Sequence, residues 1–461
     1  MSQLPADCLN EIFEYLEDDK LTLYSCILVN RLWCEVSVRI FWRDASNYSI
    51  SNFNTLISCL PNKSKEILYE NGIVVSTKTP IFNYASFCKV LSINQVYYKI
   101  ERILKNQQST SLQNLDKNVH IVEQEMLKMF MNQISSLKSL IFYHKLNYMP
   151  IFTSYPGSND CLKNLSKLSC CSNISSELYY QLSQNCHNIL SLDINIITNI
   201  SDGLSELISV QKNLKYLNIE QLIQRNELSS LVTKVPNTLI KLKLCEYNFI
   251  SLSFIAKFVN LQELEFSIKY IYEGFDKLQD VIFPQLQVLK FTMFIPKVKL
   301  LIKFLEKNGK NLKEFYIKFC LNHSLNLAVA KFCTNLRKLG SLRIIKLEKL
   351  KTIFNNCQYL ESIKFFCGSK YINEKEILET VVKDSQNVIE LILHYVSRVR
   401  TELLPEELES IFISWTNRIP QKSLSLVIVK HDKVDNSLDT NDENMEIIKK
   451  YIKLGVLKFK K

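Results

Sequence analysis

Glycine is scarce, with 8 in 461 residues. Phosphate-cradling loops and dinucleotide turns need several glycines close together, so that chemistry is not expected here. The 14 cysteines contain no Cys-x-x-Cys pair, so the commonest zinc spacing is missing. No apolar run approaches the ~18 residues of a membrane span. The first residues, Met1 to Leu16, carry Asp7, Glu11 and Glu14 and lack the basic and apolar regions of a secretory signal. The six histidines (His120, His144, His187, His323, His394 and His431) form neither a His-Glu-x-x-His pair nor a triad signature. The expectation is a non-catalytic protein with no cofactor and no metal. It is placed in a reducing cytoplasmic or nuclear compartment, with its cysteines packed as small hydrophobes.

The net charge is +11. Lysine and arginine are interleaved with acidic residues almost throughout, whereas a nucleic-acid binder gathers its excess into one stripe. Hydrophobic residues at 47% and charged residues at 22% suit a folded chain. At this length one compact core is not expected; several modules or a repeat architecture are.

Leu4-Pro5-Ala6-Asp7 leads into apolar positions Leu9, Ile12, Phe13 and Leu16, one stripe of an amphipathic helix. Glu17-Asp18-Asp19 breaks that stripe. A second helix is expected from about Lys20 to Trp33, apolar at Leu21, Leu23, Ile27, Leu28 and Leu32. A third short helix carries Val36, Ile40, Phe41 and Trp42. Three such helices show more apolar surface than they can cover, which implies a partner. Leu4-Pro5, Leu9, Ile12-Phe13, Leu16, Val29-Asn30-Arg31-Leu32-Trp33 and Phe41-Trp42-Arg43 resemble the F-box motif in order and spacing. Asn30 stands where the family usually has Cys, and Lys20-Leu21 where it has Asp-Leu. The resemblance implies docking onto the Skp-type adaptor of a Skp–cullin–F-box ubiquitin ligase, through Leu4, Pro5, Leu9, Ile12, Leu16, Leu28, Val29 and Trp33.

Residues 46–133 read as an irregular helical linker, with helices over Phe53–Leu60, Lys65–Leu68, Ile93–Leu104 and Val122–Ile134. A polar loop is expected over Asn106–Lys117. The order Phe53 to Leu60, Pro80-Ile81-Phe82-Asn83-Tyr84, Phe87-Cys88 resembles the linker of the expanded F-box families of arbuscular mycorrhizal fungi.

From Leu137 one pattern recurs: apolar, two residues, apolar, one residue, apolar. Its copies begin at Leu137, Leu165, Ile189, Leu214, Leu239, Leu261, Leu286, Leu312, Leu360, Val388 and Leu408, with a degraded copy at Leu336. The starts lie 20 to 28 residues apart, within the leucine-rich-repeat range of about 20–29. Alternation over the last three positions makes a short strand with one buried face. The rest of each copy covers the outside with helix, and stacking buries what one copy alone cannot. Asn188, Asn213, Asn260 and Asn311 each precede a repeat start. Cys186, Cys333 and Cys357 lie three residues before one. These details resemble the cysteine-containing repeats of F-box proteins.

The expected fold is therefore α/β: a three-helix module over residues 1–45, the 46–133 linker, a curved strand–helix solenoid over 134–430, and a 431–461 tail. Asn373 with Glu376 forms a capping-box pattern, and Gly309 is placed to stop a helix over Val298–Asn308. In the tail, Asp432–Glu446 reads as a loop and Glu446–Lys461 as a basic helix. Residues flanking the buried strand positions face the concave side. Tyr216, Lys241, Lys243, Glu263, Glu265, Lys290, Tyr316 and Phe366 are expected to contact a target protein. Their alternating sign suits a protein surface more than a phosphate backbone. The same alternation also fits a cross-strand ion-pair ladder. Neither a nucleic acid nor a membrane is expected as a partner. The alternative to a ligase adaptor is a scaffold or regulator that binds the adaptor and delivers nothing for degradation.

Overall fold

The computed structural model of the chain describes residues 4–76, 80–106, 112–143, 150–221, 228–245, 252–268, 274–318, 322–342, 347–397, 399, 402–430, 434 and 436–460. It divides into two compact units, Met1–Pro236 and Asn237–Lys461, each taken here by itself.

The first unit opens with α1 (Ala6–Glu14), α2 (Lys20–Ile27) and α3 (Arg31–Phe41). The expected single helix over Lys20–Trp33 is two helices. The reason is Asn30, whose side-chain oxygen accepts from the backbone N–H of Trp33 at 2.9 Å and starts a new helix. Then follow α4 (Ile50–Ser58) and α5 (Asn62–Glu70), then β1 (Val90–Ser92), α6 (Ile93–Asn106), α7 (Leu112–Gln133) and β2 (Ser139–Ile141). Next come α8 (Ser158–Leu162), β3 (Lys167–Cys171), α9 (Ser176–Asn185), β4 (Ser191–Ile196), α10 (Asp202–Ser209), β5 (Tyr216–Gln221) and α11 (Leu228–Lys234).

Strands β1 to β5 pair in chain order and all in parallel. The register stacks Leu91, Leu140, Leu168, Leu192 and Leu217, each almost wholly buried. Two expectations change here. Residues 46–133 are not only helical, because β1 within them pairs with β2. The polar loop at 106–117 is helical from Leu112, and residues 107–111 lie outside those described.

The second unit repeats one theme. Its strands are β6 (Lys241–Cys245), β7 (Glu263–Ser267), β8 (Val288–Phe291), β9 (Glu314–Ile317), β10 (Lys338–Leu342), β11 (Ser362–Cys367), β12 (Glu390–Tyr395), β13 (Leu424–Lys430) and β14 (Leu457–Lys460). Each pairs in parallel with the next. Helices α12 (Val298–Asn308), α13 (His323–Phe332), α14 (Leu347–Asn356), α15 (Glu374–Asp384), α16 (Pro405–Thr416) and α17 (Asp442–Lys453) connect the later strands. A right-handed strand–crossover–strand path, with short 3-10 turns at Ser253–Lys257 and Phe275–Lys277 in the first two crossovers and α-helices from α12 onward, leaves one sheet face for the crossovers and one for solvent. The buried column runs Leu242, Leu264, Leu289, Phe315, Leu339, Ile363, Leu391 and Leu426. This is the leucine-rich-repeat architecture, a mixed α/β fold of parallel strands alternating with helices.

The last copy of the pattern is a correction. Leu408, Ile411 and Ile413 lie in α16, not in a strand. Spacings of three and two also occur on a helix, and Pro405 with Glu406 and Glu407 supplies helix-start chemistry that overrides them. The strand of that repeat is β13, buried at Leu424, Leu426 and Ile428. The tail is a further repeat. Asn441 caps α17 by accepting from Glu443 and Asn444, which makes 442–446 helical, and Gly455 at φ 71° turns the chain into β14. The capping box at Asn373 forms as expected. Gly309 ends α12 with an ordinary right-handed φ of −61°. Its lack of a side chain matters for space, since a Cβ would sit 2.9 Å from Cys333 Sγ.

The Asn and Cys positions explain how copies hold to one another. Asn260, Asn311, Asn335 and Asn387 donate side-chain N–H groups to the carbonyls of Asn237, Pro284, Lys310 and Gln358 in the preceding copy, at 2.9–3.2 Å. Cys186 Sγ donates to Leu162 O at 3.6 Å and Cys357 Sγ to Cys333 O at 3.5 Å. Gln211 takes the Cys place in its repeat, three residues before Leu214. It accepts from Ile189 N and donates to Cys186 O. The Asn bonds lie at the exposed rim, while those of Cys186, Cys357 and Gln211 satisfy buried backbone groups that the next copy would otherwise strand.

Candidate functional site

The helical module closes a small core of its own from Leu9, Phe13, Leu23, Cys26, Val36 and Ile40, with Leu16, Leu32, Trp33 and Phe41 packed against it. Phe13 meets Trp33 edge-on at 5.1 Å between centroids. Arg43 reaches back from the end of α3 to both carboxylate oxygens of Glu14, with Nη1–Oε2 at 2.5 Å, and lies 3.8 Å from Glu17. Those bonds hold the Glu14 carboxyl below its usual range.

What remains outside is strongly apolar. Leu4, Ile12, Leu28 and Val29 expose 52%, 49%, 70% and 56% of their surface, and Pro5 is exposed beside them in sequence. Covering one such side chain is worth roughly 1.5–3 kcal/mol. Of the eight residues expected to meet an adaptor, these five are open. Leu16 and Trp33 are half-buried against the core, and Leu9 is wholly inside it. Leu9 and Ile12 share one helical stripe, and periodicity alone does not say which edge of a stripe faces out. Tyr15, Leu21 and Tyr24 are also exposed and were not among the expected contacts. For Tyr15 the signal was present, since it caps the C-terminus of α1 three residues after Ile12.

The solvent-facing strand positions of the second unit behave differently. Lys241 and Lys290 both approach Glu263 Oε1 at 3.0 Å, Lys243 approaches Glu265 at 3.0 Å, and Lys338 approaches Glu314 at 3.0 Å. Parallel in-register pairing sets these distances, with Lys241 opposite Glu263 and Lys243 opposite Glu265. Desolvation pushes Glu263 up, but bonds from Lys241 and Lys290 outweigh it and leave the carboxyl below its usual range. The ladder reading of these charges is therefore realised in the geometry.

The aromatic residues divide. Tyr216 in β5 is 46% exposed. Tyr316 is half-buried and lies over Gly340 in the neighbouring strand, where a Cβ would fall 2.2 Å from its ring. Phe366 was expected to face a target but is 3% exposed, with the His394 ring 5.0 Å away and Tyr371 at 6.5 Å. It belongs to the packing of that face.

Most of the described cysteines are buried. Cys161, Cys170 and Cys186 are pushed up to about 12 and Cys357 to about 11 by burial, so the thiolate form is suppressed at neutral pH. Among the described residues no three His, Cys, Asp or Glu side chains gather as metal ligands would. His120 lies 3.5 Å from Glu123, and His187 Nε2 lies 3.0 Å from Gln184 O. His144, His431 and the His323 side chain fall outside the described residues. Among the described residues no helix is long and apolar enough to cross a membrane.

No family model matches the chain, and no curated protein matches it. Among solved structures it is similar to the crystal structure of the Rad7 and Elc1 complex in yeast, at 12% identity and a TM-score of 0.37, covering 75% of this chain and 93% of that one. It is also similar to the leucine-rich-repeat-containing protein LegL7 from Legionella pneumophila, at 17% identity and a TM-score of 0.38, covering 62% of this chain and 99% of that one.

Proposed function

We propose that the chain is a substrate-recognition adaptor of a Skp–cullin–F-box ubiquitin ligase, active in the cytoplasm or nucleus. The observation that carries this reading is the module's exposed apolar set, Leu4, Ile12, Leu28 and Val29, on and beside helices whose residues resemble the F-box in order and spacing. A free monomer with that much uncovered apolar side chain is stabilised by a partner that removes it from water. The partner is a Skp-type adaptor, and through it a cullin. The repeats hold a target protein, and the chain contributes proximity: it raises the effective concentration of a target lysine near a loaded conjugating enzyme and supplies no catalytic group.

The test is co-purification of the adaptor with Leu28→Ala/Val29→Ala. Both residues are exposed, so the module stays folded. Recovery of adaptor should fall by roughly tenfold or more, as for central interface residues. Unchanged recovery would remove the adaptor reading. If the adaptor is lost while target lifetime is unchanged, the chain is a scaffold and not a degradation receptor.

A further inference from the structure

The Asn column that ties repeat to repeat is not continuous: Ser136, Thr238, Gln285 and Tyr359 stand before Leu137, Leu239, Leu286 and Leu360. Asn311, Asn335 and Asn387 occupy the position before a repeat start and bond to the preceding copy. The same position before Leu360 holds Tyr359, which is 59% exposed. Tyr359 borders an open groove of about 380 Å³ that also takes in Gln285, Gln287, Lys310, Lys313 and Arg337.

The groove is built on a rigid row. Lys313 N donates to Gln287 O, Arg337 N to Lys313 O and Glu361 N to Arg337 O, each at 2.8 Å. Adjacent strands stand about 4.8 Å apart, so Gln287, Lys313, Arg337 and Glu361 form a line at that pitch. On the strand face Lys241, Lys243, Lys290 and Lys338 are all paired with carboxylates. Lys310 and Lys313 enter no ion pair among the described residues, and both are exposed. Arg337 carries one carboxylate, Glu361 at 3.0 Å, which shows how an acidic side chain sits on this row.

We propose that this groove is a docking surface for an acidic peptide segment of a partner protein. Lys310, Lys313 and Arg337 take its carboxylates, Tyr359 packs beside an apolar residue, and the Gln285 and Gln287 amides face its backbone. The charge favours a short peptide over a nucleic acid. The cations span only neighbouring repeats and end at Glu361, whereas a phosphate backbone calls for uninterrupted positive charge. The proposal does not rest on the adaptor reading.

The experiment uses the full chain and a fluorescein-labelled decapeptide alternating Glu and Gly with one central Gly replaced by Leu, read by anisotropy at low and physiological salt. Lys310→Glu/Lys313→Glu should weaken binding by ~10-fold or more, and the salt dependence should flatten. Tyr359→Ala should cost roughly threefold. The control is Lys303→Glu/Lys307→Glu, which makes the same net-charge change on α12, where both lysines are exposed. The control should bind as the parent does. Equal loss in both double variants would reduce the effect to bulk charge and overturn the site. So would absence of peptide binding in the parent, or tighter binding of a decathymidine strand that Lys310→Glu/Lys313→Glu abolishes.

Discussion

Two buried carboxylates, one in each unit, are held in opposite ways. In the first, Glu123 is 1% exposed, one carboxylate oxygen has no hydrogen-bond partner, and the other lies 3.5 Å from His120. In the second, the equally buried Glu374 accepts from the Tyr395 hydroxyl and from Leu403 N. The first unit also leaves Leu28 and Val29 in solvent, whereas on the strand face of the second Lys241, Lys243, Lys290 and Lys338 each meet a carboxylate. Charges matched within the chain can hold a scaffold. Apolar side chains left open on a small helical module depend on another molecule, and that is where an obligatory partner acts most strongly on stability.

The sharpest way to break this comparison is in the helical module. Phe13→Ala removes a 2%-exposed ring from a core of only a few side chains. The expected cost is ~3–5 kcal/mol, enough to unfold so small a module. Hydrogen exchange over residues 6–41 should rise to the unprotected rate. Leu28→Ala should leave that exchange within ~0.5 kcal/mol of the parent. A comparable loss in both would mean that Leu28 is already covered within the chain.

The next effect separates the two buried carboxyls. Burial alone pushes Glu123 up from 4.5 to about 8. The folded state then holds its proton more tightly than the unfolded state does. Stability falls as pH rises from about 4.5 to about 8 and is level above that. Glu123→Gln has no proton to lose, so it should match the parent at acid pH and exceed it by on the order of 3 kcal/mol above pH 8. Urea denaturation across that range reads the difference, and a parallel pair of curves would show that Glu123 has a cationic partner.

How much of this was legible follows from local chemistry. The repeat copies from Leu137 to Val388 were readable because strand alternation and spacing recur, and the structure places Leu168, Leu192 and Leu217 in one buried column as that recurrence requires. The copy at Leu408 misled because the same letters sit on a helix once Pro405 and two glutamates precede them. Strand β1 was hidden by its three-residue length and by the two long helices separating it from β2. At the candidate sites exposure was the part that periodicity could not supply. Leu9 and Phe366 are buried by neighbours from other elements, and no one-dimensional pattern contains those neighbours.

The smallest effect tests whether the strand-face charges are structural partners or a surface held ready for a target. Lys243 and Glu265 face one another at 3.0 Å, and the Glu265 side chain is only 12% exposed. If the pair is a ladder rung, a double-mutant cycle with Lys243→Ala and Glu265→Ala should give a coupling of about 0.2–1 kcal/mol that shrinks as salt is added. Glu265→Ala alone should cost less than Lys243→Ala alone, because removing the lysine leaves a largely buried carboxylate unpaired, whereas removing the glutamate leaves a cation that can turn to water. A coupling of zero, with equal single costs, would mean that the two charges ignore each other in the free protein. The alternating signs would then be kept for a partner, and the contrast between a matched strand face and an open helical module would fail at this face.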